Sequence, residues 1–528
     1  MSTWQLVFVR DWERWETEPA EGVLGLRDLK SQVQRIGLRP GDPVFVRPDF
    51  RVDPDLLDLV LSKPFRDLAR ESRRNYATDI RPLLDWLWLR GLAWWQATEK
   101  DLSAYREFRC SSPLNPRRIG GAKWNREAAA FTLLFKWGKV FPLPIDAGRL
   151  EDRAADARGR NVRWLTPRTW RLWMDLGLRG LGLDGRRQPG WESRTELRNT
   201  SFTQLLLSSG LRRQEGGGLL TFELPDQKVG RGLYRHGTVP WALSRSKKTR
   251  VFYARVDALQ QVNAYRESER AWAVQQAQLK GRYDGLPAIL LVTGVNMGLK
   301  PVVRWVDRDG VAGERELGAL DWRERQWLFT EGPNGPEPLW LWLTEEGMPM
   351  LPDRWNTVFR LANLRCEEAL LTPKELATKR HMRTAEARGR VPWATPHATR
   401  HSFALYMLIV LNDLVDRKFG LTPEQRRDFM LLYGDPWFLV KELLGHSDVE
   451  TTKSHYLSPV QHLRLESILA FDEEEKQSDD PDAHEARLTG IFSRIARETT
   501  GIQDLDGLMD RYPVPVKAGA TASDWVPR

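Results

Sequence analysis

Two stretches decide how this chain is read: ATPHATRHSFALYML at 394–408 and LLGHSDVETTKSHYL at 443–457. The first places His397 and Arg400 at the start of a long apolar helix. Its apolar run LYMLIVL (405–411) is far shorter than the ~18 residues that crossing a bilayer needs. Five of the eight histidines fall between 397 and 462. The His397–Arg400 spacing says little alone, because with so many arginines a histidine has roughly a one-in-eight chance of an arginine three residues on. His484 and Arg487 repeat that spacing inside an acidic segment.

Companions elsewhere give the pair its weight. Arg212 lies in SSGLRRQE (208–215), at a turn between two short helices, with Glu215 three residues on. SRSKKT (244–249) reads as the basic turn of a β-hairpin and carries Arg245, Lys247 and Lys248. His446 follows LLG, and Tyr456 comes ten residues later. Two arginines, a lysine, two histidines and a tyrosine together can surround one phosphodiester. Attack on such a linkage builds negative charge on the nonbridging oxygens, and fixed guanidinium forks aimed at that charge favour the transition state over the ground state. A tyrosine is a suitable nucleophile, since a covalent phosphotyrosine conserves the bond energy needed for rejoining.

The order and phrasing of these residues resemble the tyrosine recombinase (phage integrase) family, whose members carry an arginine in a TGLR-x-x-E phrase, a hairpin lysine, H-x-x-R, LGH and a nucleophilic tyrosine. RNYATDIRPLLDWLWLRG, WNREAAAFTLLFKW and DRWNTVFRLANLRC look most like integrases of actinobacterial mobile elements. The resemblance covers roughly 60–460. It implies that Arg212 and Arg400 bind the phosphate, Tyr456 attacks it, Lys247 protonates the leaving 5′-oxygen, His397 serves in proton transfer and His446 hydrogen-bonds the phosphate. Glu215 would orient Arg212, and His401 would position the helix or sit buried as a satisfied neighbour. Lys248 and Arg245 stay open beside Lys247, because counting back from Arg250 by the family's usual interval lands on Arg245. No metal or other cofactor is implied. The partners implied are double-stranded DNA attachment sites, three further copies of the chain in a synaptic tetramer, and accessory DNA-bending or directionality proteins.

Composition agrees with a DNA partner without requiring one. The 528 residues carry 80 Lys+Arg against 71 Asp+Glu, a formal charge of +9, with 41% hydrophobic and 29% charged residues. FDEEEKQSDDPD (471–482) holds net −6, so the rest of the chain is +15. Two cysteines, Cys110 and Cys366, exclude a disulfide framework and a multi-cysteine zinc site. The early charges of MSTWQLVFVRDWERWE argue against a secretory signal, so a cytoplasmic, nucleoid-associated protein is expected.

The expected fold class is mainly α with a small β component: a helical core-binding domain followed by a tyrosine-recombinase catalytic domain. Residues 1–60 read as an irregular extension with turns and short extended pieces, a candidate arm-type or accessory element. A helical DNA-binding domain is expected over 61–148, with Thr98 and Asp101 as a capping box. A polar linker follows at 149–165, then a catalytic domain over 166–470, then the acidic linker and an amphipathic C-terminal helix at 471–528. From Lys247 to His397 is 150 residues, which implies an insertion at about 255–345 with a β-rich lobe. TFELP and LWLWLTEEG read as strands. Related chemistry without synapsis (a type IB topoisomerase-like enzyme) and a catalytically silent DNA-binding protein are the alternatives.

Overall fold

The computed structural model describes residues 3–9, 34–154, 164–229, 232–286, 288–298, 300–413, 436–445 and 449. His446, Tyr456 and the 471–528 segment lie outside the described residues. The chain divides into two compact units, Met1–Gly159 and Arg160–Arg528. Helices dominate both, and each also contains small sheets, which is the α+β class expected.

In the first unit, the apolar spacing of Ile80, Leu83, Leu84 and Leu87 buries one face of the Arg70–Trp88 helix. That helix continues through Pro82 without a break. The Glu99–Cys110 helix begins at Thr98, whose N–H donates to the Asp101 carboxylate (2.9 Å) while its hydroxyl accepts from the Asp101 N–H (3.4 Å). Trp124, Ala128, Phe131, Leu134 and Phe135 of the Gly121–Trp137 helix all point into the same core. Trp94 is buried and Trp86 half-buried, whereas Trp88 and Trp95 keep nearly half their surface.

Two expectations about the borders of this unit differ from what is observed. The 1–60 stretch is not only irregular. β1 (Gln5–Phe8) pairs antiparallel with β2 (Pro43–Val46), and Asp53 caps a Pro54–Leu61 helix by accepting from the Leu56 N–H (3.0 Å). Trp4, Phe45, Leu56 and Leu59 share one core with the later helices. Eight residues are too few for periodicity to reveal such a helix, and its apolar face is satisfied only by neighbours distant in sequence. The polar stretch from 149 is likewise not free linker at its start. Arg106 donates to the carbonyls of Glu151 and Arg153 (both 2.7 Å), and the Trp124 indole donates to that of Asp152 (2.8 Å).

The second unit is built around aromatic packing. Phe202 stacks on Trp355 with ring centroids 3.6 Å apart, and Trp342 stands edge-on to both. Around this lie the helices Pro167–Gly177, Glu196–Ser209, Arg354–Leu370 and Pro396–Asp413. β3 (Tyr234–Val239) and β4 (Arg250–Arg255) form the hairpin, with Val239 opposite Arg250. Val256–Tyr265, a π turn at Arg266–Arg270, and Ala271–Leu279 run on as one helix. A five-stranded sheet follows in the order β7-β6-β5-β8-β9: β5 Leu290–Asn296, β6 Val302–Asp307, β7 Ala312–Glu316, β8 Leu328–Gly332 and β9 Gly335–Pro338.

The 255–345 segment therefore contains a β-rich element with a small core of its own around Val303, Leu317, Leu320 and Leu328. Its helix and its last residues, however, enter the main core through Leu259, Val262, Trp340 and Trp342. TFELP and LWLWLTEEG are not strands. Thr221–Glu223 is a single 3₁₀ turn, and the second segment makes only isolated bridges, Leu220 to Trp340 and Leu343 to Pro349. Trp340, Leu341, Trp342 and Leu343 are buried on every side, with the indoles donating to the carbonyls of Met350 (3.2 Å) and Gly216 (2.8 Å). Side-chain packing, not a ladder, takes up this apolar run.

Candidate active site

The SSGLRRQE turn is shaped by Gly210. It ends the Glu196–Ser209 helix in the left-handed region (φ 61°), and a Cβ there would sit 2.3 Å from the Phe403 ring. The chain then extends at Arg212 and restarts as the short Arg213–Gly217 helix. Glu215 reaches back to accept from the Arg212 N–H (2.8 Å) and from the Arg212 guanidinium (2.9 Å). The neighbouring Arg213 turns elsewhere, to Asp353 (2.6 Å). The other end of the Glu196–Ser209 helix is held by Glu269 in the π turn, which accepts from the N–H groups of Leu197 (2.8 Å) and Arg198 (2.9 Å).

Arg400 comes from the Pro396–Asp413 helix and is fully buried. Its guanidinium donates to the Gly210 carbonyl and to the Leu444 carbonyl, which ends the Pro436–Leu444 helix. Arg250, at the start of β4, donates to Glu215 (2.5 Å) and to the Leu443 carbonyl (3.3 Å). Gly445 passes directly over the Arg250 stem, where a Cβ would lie 2.5 Å from Cδ.

Three guanidinium groups thus surround one carboxylate with no exposure of its own. Burial pushes the Glu215 carboxyl up, but the charges of Arg250, Arg400 and Arg212 and the Arg250 hydrogen bond outweigh it and hold its pKa at about 2. Arg212 remains 22% exposed, so its guanidinium reaches the surface, whereas Arg250 is 9% exposed. A guanidinium held in this way by a buried carboxylate is fixed in place before any anion arrives.

The remaining candidates are placed as follows. His397 is exposed, one helical turn before Arg400, and its ring lies perpendicular to that of the buried His401 with centroids 4.5 Å apart. Lys247 sits in the exposed turn between β3 and β4 with a left-handed backbone (φ 54°), its N–H donating to the Ser244 carbonyl (3.1 Å). Arg245 and Lys248 are exposed on the same turn. His446 and Tyr456 lie outside the described residues. The structure brings together Arg212, Glu215 and Arg400, and adds Arg250, which motif reading passed over. At a strand start after a basic turn, Arg250 looks like one more solvated charge. Only the tertiary pairing with Glu215 marks it.

No protein-family model and no curated protein matches the sequence. Among solved structures, the chain is similar to the XerH site-specific recombinase bound to a palindromic difH substrate in a post-cleavage complex. That likeness has a TM-score of 0.42 and 12% identity, over 80% of this chain and 86% of the other. A pre-cleavage complex of XerH with difH gives 0.38 and 11%, over 77% and 81%. Both are loose similarities of chain course, and neither assigns chemistry to a residue of this chain. Among the described residues no helix is long and apolar enough to cross a membrane.

Proposed function

We propose that this protein is a site-specific DNA recombinase that breaks and rejoins strands through a tyrosine, acting in the integration or excision of a mobile element. The observation that carries the reading is the convergence of Arg212 and Arg400, nearly two hundred residues apart in sequence, around one buried carboxylate. Guanidinium groups held in a fixed frame before the substrate arrives are what a site for a phosphodiester needs.

In this reading the Tyr456 phenolic oxygen attacks the phosphorus as its proton passes toward His397. A bond forms from the tyrosine to the 3′-phosphate, and the bond to the 5′-oxygen breaks. The leaving oxygen takes a proton from Lys247. Arg212 and Arg400 hold the two nonbridging oxygens, and His446 donates to one of them. Attack by the 5′-hydroxyl of another strand reverses the sequence, so no external energy source is consumed. The helical first unit would hold the duplex, and four copies would assemble on two sites.

A nicked suicide substrate bearing the attachment sequence should trap a covalent protein–DNA adduct that Tyr456→Phe cannot form. Wild-type protein that shifts such DNA and traps nothing would be a silent binder. Relaxation of arbitrary supercoiled plasmid, with no demand for a site, would instead make the chain topoisomerase-like. Binding should also weaken with salt, with log K falling about 0.9 per log unit of salt for each phosphate neutralised.

A further inference from the structure

Arg250 touches two parts of the second unit that lie far from it and from each other in sequence. Its guanidinium meets Glu215 on the Arg213–Gly217 helix, and also the Leu443 carbonyl at the end of the Pro436–Leu444 helix. Gly445 closes over its stem with φ 65°, a backbone that suits glycine. The residue after Gly445 is His446. Glu215 in turn holds both the backbone and the side chain of Arg212. Arg250 is 9% exposed, so this contact is made away from bulk water, where a charged hydrogen bond counts for more.

We infer that Arg250 is a positioning residue: it keeps Glu215 as the anionic anchor of Arg212 and ties that anchor to the turn at 443–445, so that Arg212 and the end of the Pro436–Leu444 helix are set in one frame. The inference rests on the strand-transfer reading for its catalytic consequence, though not for the coupling itself. The guanidinium is committed to Glu215 and Leu443, so it acts through Arg212 and the turn and not on the substrate. The charged groups that face Glu215 are Arg212 from its own helix start, Arg250 from β4 and Arg400 from the Pro396–Asp413 helix. Of these, Arg250 exerts the largest charge effect holding the carboxyl down. Without it, Arg400 and Arg212 alone oppose the upward push of burial, so Glu215 takes its proton at a higher pH than in wild type and its hold on Arg212 weakens.

The test is Arg250→Met beside Arg250→Lys, in the full chain. Arg250→Met is expected to bind attachment-site DNA within about threefold of wild type, yet to form the covalent adduct on the order of 100-fold more slowly. Its rate should also fall more steeply than that of wild type as the pH is lowered. Arg250→Lys restores the charge and should recover most of the rate and return the pH profile to that of wild type. A folded Arg250→Met that cleaves at the wild-type rate with the wild-type pH profile would overturn the inference. Should wild type itself form no adduct, the strand-transfer reading fails, and the coupling is read from acid unfolding instead. Wild type should lose its Glu215-linked stability progressively as pH falls from about 4.5 toward 2, and Arg250→Met, whose carboxyl is held down less, should show a smaller loss over the same range. Coincident acid-unfolding curves would overturn the coupling.

Discussion

Each unit of this protein buries carboxylates among three cations, two carboxylates in the first unit and one in the second. In the first unit Asp79 and Glu127, both fully buried, meet Lys123, Arg126 and Arg109. Arg126 donates to Asp79 (2.8 and 3.1 Å), Arg109 donates to Glu127 (2.6 Å), and Lys123 bonds Asp79 directly and lies 3.3 Å from Glu127. Two negative charges against three positive leave one, and the side chains of Lys123 and Arg126 open a third or more of their surface to water. That cluster clamps three helices together. In the second unit a single carboxylate faces three guanidinium groups, one of them fully buried. There the carboxylate fixes the backbone and side chain of Arg212, whose guanidinium stays partly open to the surface.

The sharpest way to break this contrast is to neutralise one carboxylate in each cluster. Glu215→Gln and Glu127→Gln should each lose about 3–5 kcal/mol of stability in chemical denaturation, because each strands buried cations. Only Glu215→Gln should also abolish adduct formation under conditions where both variants stay folded. Equal losses of cleavage would remove the distinction between clamp and site. Next in size, Arg400→Lys keeps the charge and gives up the fork that spans the Gly210 and Leu444 carbonyls. Suicide-substrate cleavage should fall about 10²–10³-fold.

Acid titration sharpens the same comparison. The Glu215 pKa is lowered from an ordinary 4.5 to about 2, so the unfolded chain takes up the proton first as pH falls. Its contribution, on the order of 3 kcal/mol, is whole above pH 4.5 and is lost progressively toward pH 2. Glu215→Gln should remove that portion of the pH dependence, as measured by denaturant midpoints across the range. A small effect marks the scale: Thr98→Ala, which removes one arm of the capping box, should cost about 1 kcal/mol in the first unit and leave cleavage unchanged.

Much of the local structure was legible because it depends on near neighbours. Apolar spacing at 3.6 residues located the Arg70–Trp88 and Gly121–Trp137 helices, and Thr98 with Asp101 marked a helix start. The SRSKKT turn located the hairpin, although its first strand ends at Val239, before Pro240. LWLWLTEEG misled because an apolar run with β-favouring residues reads alike whether its sides face a sheet or a crowded core. The early hairpin and the Pro54–Leu61 helix were missed because their burial comes from helices far along the chain.

What the sequence determined alone was which chemistry was on offer: the phrases around Arg212, His397, Arg400, His446 and Tyr456, and the basic turn at Lys247. Residue type and short spacing set those, since they are written in covalent order. Which arginines would share a carboxylate, that Arg213 would leave for Asp353, and that Arg250 would join instead were settled only when the chain folded. Charge pairing at close range depends on through-space distance and burial, and neither has a signature in separations of 35 to 190 residues.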